Sequence, residues 1–230
     1  MKASTPSLIL FFVTSALVVL FKMLNYEGLV LCGKSIIVPS LFIYYFVSNN
    51  YKITFFKGLI FILLFLRDIF TTLNVSESPM GALLCVLMIY VLLLYLALKE
   101  LKQLKFSYKD SLFVFILILA MGAICYSVLN LELENLELDF SLYAVFGIIL
   151  SVLSVISIIN YIKKGSYSFF NSMLMCICFI ITDVFFVVYK FYFYNDAFIL
   201  ISIITQFLSY FFMVNYLLEK DKITEDLNDY

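Results

Sequence analysis

Eight apolar runs, each close to the length of a membrane-crossing helix, fill almost the whole of this chain. A helix needs about 20 apolar residues to cross the hydrocarbon core of a bilayer. The runs cover residues 8–24, 29–48, 53–73, 80–98, 111–130, 141–162, 167–189 and 197–218. A soluble domain of this size is typically about half apolar and one quarter charged. This one is 64% hydrophobic and 13% charged over 230 residues. The sequence therefore predicts an all-α fold, a polytopic transmembrane bundle of eight helices. Its short connections place successive helices antiparallel and side by side. Residues 1–218 form one transmembrane domain, and residues 219–230 a short charged tail that lies free. The run from Leu8 to Phe21, behind Lys2, has the look of a signal peptide. No clean small-residue cleavage site follows, so it reads as the retained first span.

Lysine placement sets the orientation. Lys2, Lys52, Lys57, Lys99, Lys102, Lys105, Lys109, Lys163, Lys164, Lys220 and Lys222 all fall on one side of the eight spans. The other side carries Glu77, Asp196 and the acidic loop with Glu132, Glu134, Glu137 and Asp139, with only Lys22 and Lys190 flanking helices. The positive-inside rule puts both termini in the cytoplasm. Dropping any one span would scramble this asymmetry. The chain has no Trp, so an interfacial aromatic belt must be built from Tyr.

Two carboxylates break the apolar pattern. Asp68 lies in Leu63-Leu64-Phe65-Leu66-Arg67-Asp68-Ile69-Phe70, and Asp183 in Phe179-Ile180-Ile181-Thr182-Asp183-Val184-Phe185. A charged side chain at the bilayer centre costs roughly 2.5–3.5 kcal/mol even on the mildest scale, and such residues mark functional sites by default. At 1.5 Å of rise per residue, Asp68 lies roughly 22 Å from the inner end of its helix, Asp183 roughly 24 Å, Lys34 roughly 21 Å and Gln206 roughly 18 Å. These groups share one layer in the outer half of the bilayer, with Tyr90 nearer the midplane. Arg67-Asp68-Ile69-Phe70 in the third span also echoes Thr182-Asp183-Val184-Phe185 in the seventh, as a parallel four-plus-four repeat would require, although spans two and six do not align.

A structural reading stands beside the functional one. Asp68 or Asp183 paired with Arg67 or Lys34 would be an intramembrane ion pair that fixes helix register. Arg67 and Asp68 are adjacent on a helix and point about 100° apart, so Arg67 reaches a neighbouring helix or snorkels to the surface. Lys34 is near enough to the interface to snorkel as well, and Gln206 can serve as interhelical glue. The functional alternative is an acid–base site. Desolvation disfavours the charged form of a carboxyl, and two carboxyls close together cannot both ionise cheaply, so such a pair holds one proton between an acid and a base.

Other chemistries lack their residues. There is no His, hence neither the commonest general base nor the commonest metal ligand. Cys32, Cys85, Cys125, Cys176 and Cys178 sit in or beside apolar stretches, and Cys176-x-Cys178 does not match zinc spacing. No nucleotide-binding loop or nucleophile elbow is present. No metal and no cofactor is expected.

The order of these residues resembles the lysoplasmalogenase-like (YhhN-type) integral membrane proteins. The matching positions are Lys34 in Gly33-Lys34-Ser35, Asp68, Asp183, and Gln206 in Thr205-Gln206-Phe207-Leu208, over about residues 29–218. The chain departs from that pattern at Ser35, where a Pro is usual, at Arg67, where a Gly is usual, and at Ile89-Tyr90, where a His is frequent. The resemblance implies hydrolysis of the vinyl ether bond of a lysoplasmalogen or related ether lysolipid, an ether-lipid metabolic role, and a bacterial inner membrane. Asp68 and Asp183 would be catalytic, and Lys34, Arg67, Gln206 and Tyr90 would bind substrate. The partner is a lipid within the bilayer; neither nucleic acid nor a soluble protein partner is indicated. A small proton-coupled transporter using the same Asp pair is the alternative, and a catalytically silent bundle a third.

Overall fold

The computed structural model of the protein describes residues 3–72, 78–101, 108–129 and 140–228. All regular structure among them is helical: α1 (Thr5–Met23), α2 (Glu27–Ser48), α3 (Phe55–Phe70), α4 (Ser78–Leu101), α5 (Tyr108–Leu129), α6 (Phe140–Lys164), α7 (Tyr167–Phe191) and α8 (Asp196–Asn228). Each covers one of the eight apolar runs. Six of them are long and apolar enough to cross a membrane: α1, α2, α4, α6, α7 and α8. This is an integral membrane protein. Glu77, Glu132, Glu134, Glu137, Asp139, Lys2, Lys102 and Lys105 lie outside the described residues.

The breaks follow local chemistry. Asn25 takes positive φ in the tight turn between α1 and α2. Gly165 does the same after α6, its amide closing onto the Tyr161 carbonyl at 2.7 Å, as an αL helix cap requires. Two boundaries differ from the sequence expectation. α3 stops at Phe70 rather than running to residue 73, because Thr71 and Thr72 turn their hydroxyls back onto the Asp68 carbonyl (3.0 and 2.9 Å). These bonds satisfy an orphaned carbonyl of the last turn, so α3 ends two residues past Asp68. α8 does not stop at Leu218 but continues as helix to Asn228. The expected free tail therefore begins as helix, tied at Lys220 to Glu100 (3.2 Å) and to the Leu96 carbonyl (3.2 Å) of α4.

Packing is chain-sequential, with α1 on α2, α2 on α3, α3 on α4, α5 on α6, α6 on α7, and α7 on α8. Longer-range contacts join α4 to α6, α1 to α8, and α2 to α8. The core runs through fully buried Tyr45, Ile60, Leu93, Leu153, Tyr210 and Met213. At one end Glu100 also bonds Lys164 (3.0 Å), and Lys57 reaches the Leu217 carbonyl (3.3 Å). At the other, Lys22 pairs with Glu27 (2.6 Å).

Gly33 permits the close approach of α1 to α2. A Cβ there would run into the Val18 side chain, which is fully buried. Gly33→Val is expected to cost about 1–3 kcal/mol through overpacking. Thermal unfolding in detergent checks this, with Gly28→Val as the control, since a Cβ at Gly28 meets nothing.

Candidate intramembrane polar site

Asp68 occupies the last turn of α3, where the helix ends against α8. Its side chain is 1% exposed. Oδ1 accepts two hydrogen bonds, from the Tyr210 hydroxyl at 2.7 Å and from Gln206 Nε2 at 2.8 Å. Gln206 Nε2 also donates to the Tyr210 oxygen at 2.8 Å, and so does Arg67 Nη1 at 2.8 Å. The Tyr210 hydroxyl thus spends its one proton on Asp68 and accepts from Arg67 and Gln206, which fills its bonding capacity. The Arg67 guanidinium also lies 5.9 Å from the Tyr210 ring centroid. Arg67 reaches the neighbouring helix rather than snorkelling.

Asp183 has a different setting. It is half-buried on α7, and its Oδ2 accepts from the Tyr90 hydroxyl at 2.8 Å. Tyr90 is held between Phe146 of α6 and Phe179 of α7 (centroids 5.2 and 4.9 Å). One residue earlier, Thr182 ties α7 to α8. Its hydroxyl meets that of Thr205 at 2.8 Å, and its carbonyl accepts from Ser202 at 2.9 Å. Lys34, also buried, donates to the Thr71 hydroxyl at 3.3 Å, at the end of α3.

The two acids are held in a crossed arrangement. Asp68 on α3 takes its amide donor from α8, and Asp183 on α7 takes its hydroxyl donor from α4. The spacing from Asp68 to Asp183 and that from Tyr90 to Gln206 differ by a single residue. Exchanging the two halves of the chain also maps the α2–α8 contact onto the α6–α4 contact. A parallel four-plus-four repeat generates this pairing, although the α1–α8 contact has no close α4–α5 counterpart.

A cavity of about 900 Å³ opens beside these groups, within the range of small-molecule sites. Lys34, Arg67, Asp183 and Gln206 stand on its wall, and Lys22, Glu27 and Lys190 stand there too. Asp68 and Tyr90 do not line it. They sit behind the wall, Asp68 behind Gln206 and Arg67, and Tyr90 behind Asp183. All six residues singled out from the sequence therefore belong to one connected region, but only one of the two acids faces the space. Lys34, Arg67, Asp68 and Asp183 are the charged side chains among these six. None of these makes an ion pair within 4.0 Å; such pairs among the described residues include Lys22–Glu27 and Glu100 with Lys164 and Lys220. Arg67 Nε and Asp68 Oδ2 are buried without a hydrogen-bond partner in the protein. No cluster of His, Cys, Asp and Glu suited to a metal occurs among the described residues. All five cysteines are unpaired, and Cys176 bonds Ser157 at 3.3 Å.

Sequence reading missed Tyr210 and Thr71. Tyr210 follows Gln206 by one helical turn, so the two share a face; that spacing was the available signal. Comparison with known proteins gives no match to a family model, a curated protein or a solved structure.

Replacing Tyr210 by Phe leaves Arg67, Gln206 and Asp68 each short of a partner. The expected loss is about 1–2 kcal/mol, toward the upper side of single intramembrane hydrogen bonds. Tyr216→Phe is the comparison, because that hydroxyl is buried without a partner and its removal should be neutral or mildly stabilising. Unfolding measured by steric trapping in bicelles separates the two.

Proposed function

We propose that the protein is a membrane-embedded hydrolase of the lysoplasmalogenase type, cleaving the vinyl ether bond of a lysoplasmalogen or related ether lysolipid. In this reading it is a multi-pass protein of the bacterial inner membrane with both termini cytoplasmic, and the cavity opens toward the outer half of the bilayer. The single observation that supports it is a cavity whose wall carries Asp183 among the cations Lys34 and Arg67, while its other carboxyl, Glu27, is paired with Lys22. That arrangement suits a substrate with an anionic headgroup and an acid-labile bond.

One carboxyl balances the chemistry. Protonated Asp183 donates its proton to the vinyl β-carbon, and the adjacent carbon becomes an oxocarbenium ion. Water adds there and returns a proton to the Asp183 carboxylate. The resulting hemiacetal collapses to an aldehyde and a free hydroxyl, its own proton moving to the departing ether oxygen. General acid–base catalysis of this kind contributes typically 10²–10⁴-fold. Asp68 acts through others: bridged to Arg67 by Tyr210, it offsets the guanidinium charge that would oppose an oxocarbenium ion. Asp68 is then a positioning residue and Asp183 the catalytic one. Lys34 and Arg67 hold the phosphate, Arg67 with the geometry suited to bidentate contact.

A proton-coupled carrier is the second reading, favoured by the crossed pairing of the two halves, which resembles the internal repeats of transporters. Substrate flux in proteoliposomes without lipid turnover would decide for it.

Asp183→Asn should lower turnover of a lysoplasmalogen by about 10²-fold or more with folded protein retained. Arg67→Gln should mainly raise KM, because it loosens headgroup binding. Aldehyde release in proteoliposomes is the measurement, and unchanged turnover in Asp183→Asn would remove the proposed reaction.

A further inference from the structure

The cavity has a second side, away from the polar groups, formed by α4, α5 and α6. On α5, Val114, Leu117, Met121, Cys125 and Val128 form one stripe at helical spacing and are the better-buried positions, whereas Phe115, Ile118, Leu119 and Tyr126 are exposed. The lower part of this stripe is packed. Val114 and Leu117 join Met121, Val155 and Ile159 in a cluster that also takes in Leu101, at the end of α4. Farther along, α4 and α5 part. Leu83 and Val86 of α4 and Ile124, Cys125 and Val128 of α5 line the cavity instead of packing on one another. α5 packs closely against α6 alone among the described helices, and Gly147 lets it do so, since a Cβ there would come within 2.8 Å of Cys125 Sγ.

Two helices that meet at one end and diverge at the other leave a wedge. Its walls are aliphatic, and Ile124 at its edge both lines the cavity and is exposed. Its inner limit is the polar wall with Lys34, Arg67 and Asp183. We infer that the diverging halves of α4 and α5 form a lateral portal that takes one hydrocarbon chain of a membrane lipid, with the polar end of that lipid drawn to Lys34 and Arg67. An apolar chain gains nothing from leaving lipid for an apolar wall, so the chain alone would not be retained. Retention comes from the cations beyond it. The portal thus selects for amphiphiles with an anionic group one helix-layer away from the chain. It deepens the reading of the cavity as a lipid site, but it concerns binding and access rather than the reaction.

The test uses the full-length protein in proteoliposomes and a lysophosphatidylcholine with a diazirine in its chain. After irradiation, adducts are mapped by peptide mass spectrometry, with and without excess unlabelled lysophosphatidylcholine. Adducts are expected at Leu83, Val86, Ile124 or Cys125, and excess competitor at about ten times its Kd should reduce them about tenfold. Adducts on the exposed face of α1, at Phe12 and Val13, report ordinary annular lipid and should not be competed. Cys125→Phe, which narrows the portal, should remove the competed adducts and leave the annular ones. If that variant fails to fold, Leu83→Phe on the opposite wall replaces it. Adducts confined to annular positions, or competed equally everywhere, would overturn the portal. Asp183→Asn keeps the two proposals distinguishable: competed adducts with turnover unaffected by that change sink the reaction alone. Turnover that depends on Asp183 without portal adducts sinks the portal alone.

Discussion

The bonding of Asp68 is the constraint on which the rest of the polar layer depends. A carboxyl at this depth is costly unless its oxygen is satisfied, and the partners come from α8, not from its own helix. That requirement fixes the rotation of α8 against α3, places Gln206 at the cavity wall, and draws Arg67 inward to the Tyr210 hydroxyl. It also explains the early end of α3. The Asp68 carbonyl is an orphan of the last turn and is satisfied by Thr71 and Thr72, with Lys34 bonded to Thr71 in turn. A helix C-terminus carries partial negative charge, so gathering Lys34 and Arg67 there is favourable twice over.

Asp183 is the counterpart that is not enclosed. Its donor, Tyr90, engages one oxygen, and the residue stands on the cavity wall. The two acids thus have the same origin in the chain pattern and different surroundings. Environment rather than residue type separates a reactive carboxyl from a structural one. In the crossed arrangement each half supplies the other's donor, so neither half can hold its own acid in place. The layer forms only when α3–α8 and α7–α4 are both assembled.

Much of this was legible in the sequence. The eight apolar runs found eight helices because hydrophobic length is dictated by the bilayer and little else competes with it. Helical rise alone put Lys34, Asp68, Asp183 and Gln206 at one expected depth, and the cavity region does bring their side chains together. Tyr210 was not legible because 17 tyrosines in an apolar chain read as packing and belt residues; only the one-turn spacing from Gln206 marks it. The end of α3 depended on two threonine hydroxyls competing with helix continuation, a side-chain effect that hydropathy does not register. The extension of α8 past Leu218 depended on Glu100, more than a hundred residues away in sequence. Which acid faces the cavity depended on Gln206 and Arg67 standing between Asp68 and the space, a matter of packing rather than of pattern.

Arg67 shows how the surroundings of a residue change its meaning. Read as sequence, a guanidinium next to an aspartate threatens an acid–base site by adding fixed positive charge. In the fold the adjacent pair points to different neighbours and meets again through Tyr210. Taken together the three groups form a bridged donor–acceptor unit in which Arg67 Nε and Asp68 Oδ2 are buried without a partner. Such a unit presents a directional donor to the cavity while its partner charge sits behind it. Under the proposed function it would hold an anionic headgroup at one edge of the cavity without imposing a full unpaired charge on Asp183 at another. In the proposed reaction this positive group is the one that orients the substrate, provided that Tyr210 keeps Asp68 and Arg67 joined.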